Sequence, residues 1–74
     1  MVFPNPATGK ITIEIYDVTS ENIMEILTIE GQKVLSRTLT DHKTQLDISN
    51  FPAGIYFVRV TNDKAVMVGK IIKQ

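Results

Sequence analysis

Few side chains in this sequence are placed to do chemistry. His42 is the single imidazole, standing between Asp41 and Lys43. An imidazole can shuttle a proton or bind a metal, but a metal site needs further ligands. There is no second His and no Cys, so such a site would have to be built from carboxylates. The plainer reading is a solvated loop residue. Ser20, Ser36 and Ser49 are potential nucleophiles only beside a base, and none lies in a Gly-x-Ser-x-Gly turn. The eight Asp and Glu are scattered, with no pair spaced for acid–base work. No glycine-rich phosphate loop is present. These residues point away from catalysis, and no cofactor or metal is expected.

The chemistry left to the chain is that of its backbone. The sequence ends Lys70-Ile71-Ile72-Lys73-Gln74. A terminal strand with an open edge can pair with another strand by β-augmentation, so this tail can be a recognised element. The plainer reading is edge protection, because lysines on an edge deter unwanted pairing.

Elements that would carry this tail follow from the hydrophobic pattern. Gly54 to Thr61 is a dense run of β-branched and aromatic residues, broken at Asn62-Asp63-Lys64 and resumed from Ala65 to Gln74. Two such runs around a short polar turn read as a hairpin. Tyr56, Val58 and Val60 would share one face of the first arm, with Ile55, Phe57 and Arg59 on the other. Tyr56 stands beside a turn where its hydroxyl can anchor to nearby backbone.

Further upstream, Lys10 to Tyr16 alternates, with Ile11, Ile13 and Ile15 inward and Lys10, Thr12 and Glu14 outward. Asp17 to Asn22 reads as a turn. Glu21 to Glu30 is apolar on too many sides for a surface helix, so Ile23 to Ile29 is read as a strand. Gly31 in Glu30-Gly31-Gln32 supplies the positive φ that a tight turn demands. A strand from Lys33 to about Thr40 completes a hairpin. Asp41-His42-Lys43 is expected as a loop and Gln45 to Ile48 as a short strand with Leu46 and Ile48 inward. Ser49 to Gly54 is a turn punctuated by Pro52 and Gly54. Strand signals recur about every ten to twelve residues, which favours an antiparallel β-sandwich or barrel. The expected core includes Ile11, Ile13, Ile26, Leu46, Tyr56, Val58 and Val60.

Composition bounds the rest. The 74 residues make one small domain, residues 1–74, and 43% are hydrophobic, enough for a core. Without Cys, packing must hold the fold unaided. Eight Lys and Arg balance eight Asp and Glu. A neutral chain has no long-range pull on a phosphate backbone, so no nucleic-acid partner is expected. No apolar stretch is long enough for a membrane span, so no membrane insertion is expected. The opening Met-Val-Phe-Pro has no basic start and no apolar helix, so any export signal is expected upstream, in a longer parent protein.

At the N-terminus, Pro4-Asn5-Pro6 fixes two φ angles, holds Phe3 and Asn5 extended, and is followed by a turn at Gly9. Alone it is a rigid lead-in loop. With Gly31-Gln32-Lys33-Val34 and then Leu46, Ile48, Phe51-Pro52-Ala53-Gly54-Ile55-Tyr56, Val58, Val60 and Lys70, the chain resembles the C-terminal sorting domain, type A, of type IX secretion cargo in certain Gram-negative bacteria. The resemblance runs from Phe3 to Gln74. Phe3 stands where that family often has Tyr, and Leu27 where an aromatic is frequent.

The resemblance implies an immunoglobulin-like antiparallel β-sandwich of about seven strands. It implies a non-catalytic secretion signal, read through Pro4, Asn5, Pro6, Gly9, Gly31, Gly54, Tyr56, Val60 and Lys70. Its partners would be a cargo domain on its N-terminal side, the type IX translocon, and a surface sortase that removes it. The protein would pass through the periplasm to the cell surface. Two other roles compete: a small adhesion or carbohydrate-binding sandwich, which needs an exposed aromatic platform, and an inert spacer. Homodimer formation through an edge strand is a further expectation.

Overall fold

Alternation of aliphatic and polar residues gives each strand one apolar side, and two sheets that face each other can bury those sides together. The computed structural model describes residues 2–3, 8–16, 18 and 21–74. They form seven strands: β1 (Val2–Phe3), β2 (Lys10–Glu14), β3 (Asn22–Thr28), β4 (Lys33–Leu39), β5 (Lys43–Asp47), β6 (Gly54–Thr61) and β7 (Val66–Lys73). Among the described residues there is no helix.

Strands β1-β2-β5 form one sheet and β4-β3-β6-β7 the other. Every pairing is antiparallel. The expected sandwich is the fold. Ile11, Ile13, Ile15, Leu46 and Ile48 from the first sheet side meet Met24, Ile26, Tyr56, Val58, Val60 and Ile71 from the other, all buried. Every residue of the expected core list is in this seam. Met24, Leu39 and Ile71 belong to it as well.

The strands differ from expectation mainly at their ends. β2 stops at Glu14; Ile15 is still buried, but Tyr16 is 82% exposed. β5 starts at Lys43, two residues before the expected strand, because the full length of β2 is available to pair with it, from Lys10↔Asp47 to Glu14↔Lys43. The Asp41-His42-Lys43 loop is correspondingly shorter. β3 starts at Asn22, which is fully buried opposite Leu39. Asn62 Nδ2 donates to Asn22 Oδ1 at 3.0 Å, so the buried amide is satisfied across 40 residues of chain. Residues 17, 19 and 20 of the expected turn lie outside the described residues.

A register shift between Ile26 and Leu27 places Leu27 opposite Lys33 and leaves Val34 as the extra residue of β4. Such a bulge bends and twists a strand without breaking the hairpin.

Val58 is 1% exposed at the middle of β6, between β3 and β7. Val58→Ala should cost about 1–3 kcal/mol, by lost burial plus the cavity left behind. Guanidinium denaturation of the two proteins measures it.

Candidate functional site

The final hairpin is built from its corner outward. Phe51 N–H donates to Ile48 C=O at 2.9 Å, closing the turn before β6. Tyr56 Oη donates to Pro52 C=O at 2.6 Å, the anchoring expected from its place beside a turn. Its ring packs on Phe51 with centroids 5.3 Å apart and planes tilted by 50°. Gly54 opens β6 at φ 151°, and a Cβ there would meet nothing within 4 Å. The need for glycine is therefore conformational, not steric crowding. At the far end Asn62 Oδ1 accepts from Lys64 N–H and Ala65 N–H, both at 2.8 Å. This side-chain turn folds β7 back on β6, in register from Gly54↔Lys73 to Thr61↔Val66.

The second glycine turn lies at the same end of the four-stranded sheet as Gly54. Gly31 has φ 90°, its N–H donates to Thr28 C=O at 2.9 Å, and Thr28 N–H donates to Gln32 C=O at 2.8 Å. Thr28 pairs with Tyr56 across the sheet. An open groove runs between the two turns, lined by Ile29, Glu30, Pro52, Ala53 and Ile55 among others. Gly31, Gly54 and Tyr56, far apart in sequence, are thus one structural neighbourhood.

The remaining sequence-predicted residues are dispersed. Val60 is buried on the inward face of β6. Lys70 is exposed on β7, opposite Phe57. Gly9 has no positive φ; its carbonyl accepts from Ile48 N–H at 2.7 Å, which ties the start of β2 to the end of β5. The expected turn into β2 is present as a bend at Thr8 and Gly9, made without a positive φ at Gly9. Pro4, Asn5 and Pro6 lie outside the described residues.

Two readings need revision. Lys73 is not an edge guard: it is 8% exposed, sharing the inward face with Ile71, and its Nζ donates to the Gln74 carbonyl at 2.9 Å. His42 is exposed but also tied down, its Nδ1 3.1 Å from Ile15 C=O, while Ile15 N–H donates to His42 C=O at 2.9 Å. Among the described residues no three metal-ligating side chains come together.

Sequence reasoning missed two features. Glu25, on the outer face of β3, is held by both neighbours: Oε1 accepts from Arg59 Nε at 3.0 Å and Nη2 at 2.6 Å, and Oε2 lies 2.8 Å from Lys33 Nζ. These bonds, first from Lys33 and then from Arg59, hold its carboxyl below the ordinary value. No local signal reveals such a triad, which needs three strands in register. The other is Gly69, where an added Cβ would lie 3.2 Å from Val2 Cγ2. A glycine inside a strand pattern is the signal that could have found it.

The model of the secretion system C-terminal sorting domain matches residues 1–74, the whole chain. The chain belongs to this family of type IX secretion sorting domains. Karilysin of Tannerella forsythia is 29% identical to it over 82 aligned positions. The alignment covers 96% of the sorting domain and 17% of karilysin, so the chain spans a small part of that relative. In this sorting domain the Gly31 and Gly54 turns lie at one end of the four-stranded sheet, with the Tyr56 corner beside them.

Removing the Tyr56 hydroxyl tests that corner. Tyr56→Phe should cost about 0.5–1.5 kcal/mol, since the Pro52 carbonyl loses its donor. Glu25 gives a pH signature. Its folded value is lowered, so its pairing stabilises the fold above the ordinary value of about 4.5 and is lost as pH falls through the lowered one. Glu25→Gln should be less stable than wild type at pH 7, and denaturation midpoints should converge in acid. A gap that persists at pH 2 would contradict the assignment.

Proposed function

We propose that this domain is a C-terminal signal that directs the cargo on its N-terminal side through the type IX translocon, and that a surface sortase then removes it. The cargo passes through the periplasm and reaches the cell surface. The observation that carries this reading is the family match over the entire chain. The side-chain chemistry agrees with it. No metal-ligating cluster occurs among the described residues, and net charge is zero. Among the described side chains an aromatic platform for sugars is not supported, since Tyr56 is buried, Phe51 and Phe57 are half-buried, and Tyr16 is the one exposed aromatic.

In this reading the motif residues divide by role. Gly31, Gly54, Tyr56 and Val60 hold the shape that is read: two by backbone conformation, one by its corner bond, one by burial. Lys70 is the described motif residue with an exposed charged side chain and is positioned for direct contact. Gly9 ties the start of β2 to the end of β5.

Export of a fusion tests the proposal. A foreign periplasmic protein carrying this domain at its C-terminus should reach the surface of a bacterium with the type IX system, and the domain should be cut off. Gly54→Val forces a β-branched residue into a glycine conformation and should cost roughly 1–3 kcal/mol, lowering export together with folding. Lys70→Glu should lower export by more than Gly54→Val does at equal loss of stability, with circular dichroism and denaturation measured on both. Deleting residues 70–74 is a poorer test of recognition, because it removes Ile71 from the core and four strand pairings from β6. If the intact domain leaves its fusion in the periplasm while an authentic sorting domain exports the same partner, the proposal is wrong.

A further inference from the structure

The two broad faces of the sandwich carry different surfaces. Of the nine large hydrophobic side chains exposed among the described residues, Ile23, Ile55, Val66, Val68 and Ile72 lie on the outer face of the four-stranded sheet. The outward positions of β2 and β5 hold none: Lys10, Thr12 and Glu14 stand there opposite Asp47, Gln45 and Lys43. Scattered exposed aliphatics need no explanation, but a set gathered on one sheet face marks a contact surface. Charge is divided the same way. Lys10 and Lys43 are matched by Glu14 and Asp47. On the four-stranded sheet the described outward charges are Lys33, Arg59 and Lys70 against Glu25. A chain with no net charge therefore shows cations over its apolar face.

Arg59 is the centre of this face. It stands between Glu25 on β3 and Val68 on β7. Glu25 Oε1 accepts from Arg59 Nε and Nη2, and Oε2 meets Lys33 Nζ, so both carboxylate oxygens are in use. The Glu25 side chain is 16% exposed and that of Arg59 43%, so an approaching surface meets the cation first. The two bonds leave Nη1 and one Nη2 proton of the guanidinium for another partner. Together these make the outer end of the fork, spaced to hold one carboxylate through two parallel hydrogen bonds. Because Glu25 already fixes the plane of the fork, little ordering is left for a new contact to impose. Val68, 65% exposed, lies directly beside it, and Lys70 follows Val68 on the same face of β7.

We propose that this face docks a protein partner, and that the outer end of the Arg59 guanidinium takes an aspartate or glutamate of that partner while Val66 and Val68 pack against aliphatic side chains around it. The inference rests on the sorting reading, whose partner it describes by its chemistry. An arginine framed by apolar side chains is the composition of an interface centre. An anionic lipid surface fits this face less well. Glu21 before β3 and Asp63 in the turn before β7 put carboxylates at one end of the sheet. The aromatic of this face, Phe57, is half-buried, so it does not project into a headgroup layer.

Carbodiimide joins a carboxylate to an amine only where the two touch, which suits the test. It is applied to envelopes of a type IX bacterium that carries a fusion with this domain at its C-terminus, and linked peptides are read by mass spectrometry. The internal Lys33–Glu25 and Lys43–Glu14 pairs calibrate the reagent on the two faces. Lys70 should be joined to an Asp or Glu of an envelope protein, at about tenfold the yield of Lys10 or Lys43. Arg59→Gln removes the fork, and Val68→Asp offers it a carboxylate from the chain itself. Each should lower the Lys70 yield about tenfold, as expected for losing a charge pair at an interface centre. Denaturation is measured on both, and Val68→Asp decides if Arg59→Gln fails to fold. Equal yields on the two faces, or an unchanged yield in Val68→Asp, overturn the inference. So does a link from Lys70 to a second copy of the domain, or binding to phosphatidylglycerol vesicles in place of a protein link. Export of the fusion is scored alongside. Cargo held in the periplasm overturns the sorting reading and this inference with it, whereas exported cargo without Lys70 links overturns this inference alone.

Discussion

The apolar seam between the two sheets is the constraint on which everything else rests. A cysteine-free domain of 74 residues has no cross-link to support it, so burial of one side of each strand must hold the sandwich. The inward face of β6 is the centre of that seam. Tyr56, Val58 and Val60 lie between β3 and β7 and against the isoleucines of β2. A slip of one residue in β6 would turn these side chains outward and bring Ile55, Phe57 and Arg59 in. The register is pinned on the outer face by the Glu25–Arg59 pair and at the strand ends by the Asn22–Asn62 amide pair.

From that seam follows the geometry of the turns. Because β3 and β6 are neighbours, the turn after β3 and the turn before β6 meet at one end of the sheet. The left-handed backbone at Gly31 and Gly54 is thereby concentrated in one place, beside the Tyr56 hydroxyl bond. In the proposed role this end of the molecule presents a stiff backbone shape, and its glycines matter for conformation.

The two outer faces differ in character. On the three-stranded sheet, Lys10 stands opposite Asp47, Thr12 opposite Gln45 and Glu14 opposite Lys43, a polar surface of matched charges. The four-stranded sheet exposes Ile23, Ile55, Val66, Val68 and Ile72 around the Glu25 triad. A neutral chain has little long-range electrostatic steering. In the proposed role, discrimination therefore falls to short-range contacts: packing, backbone shape and exposed side chains such as Lys70.

Much of this was legible in the sequence, for a physical reason. Period-2 alternation and turn residues are local properties, so they reveal the strands, the inward residues, the positive φ at Gly31 and the Tyr56 corner. The family blocks are likewise linear features. Other properties depend on which strand lies beside which. Lys73 is buried because β7 places it on the face of Ile71, although its chemistry suggests solvent. Glu25 gathers Lys33 and Arg59 only once three strands are in register. Gly9 keeps an ordinary backbone because its work is to accept a hydrogen bond from Ile48, and Gly69 earns its place through Val2, at the other end of the chain. Alternation fixes which side of a strand is apolar, whereas pairing between strands distant in sequence decides what each side meets, and only the tertiary structure contains that.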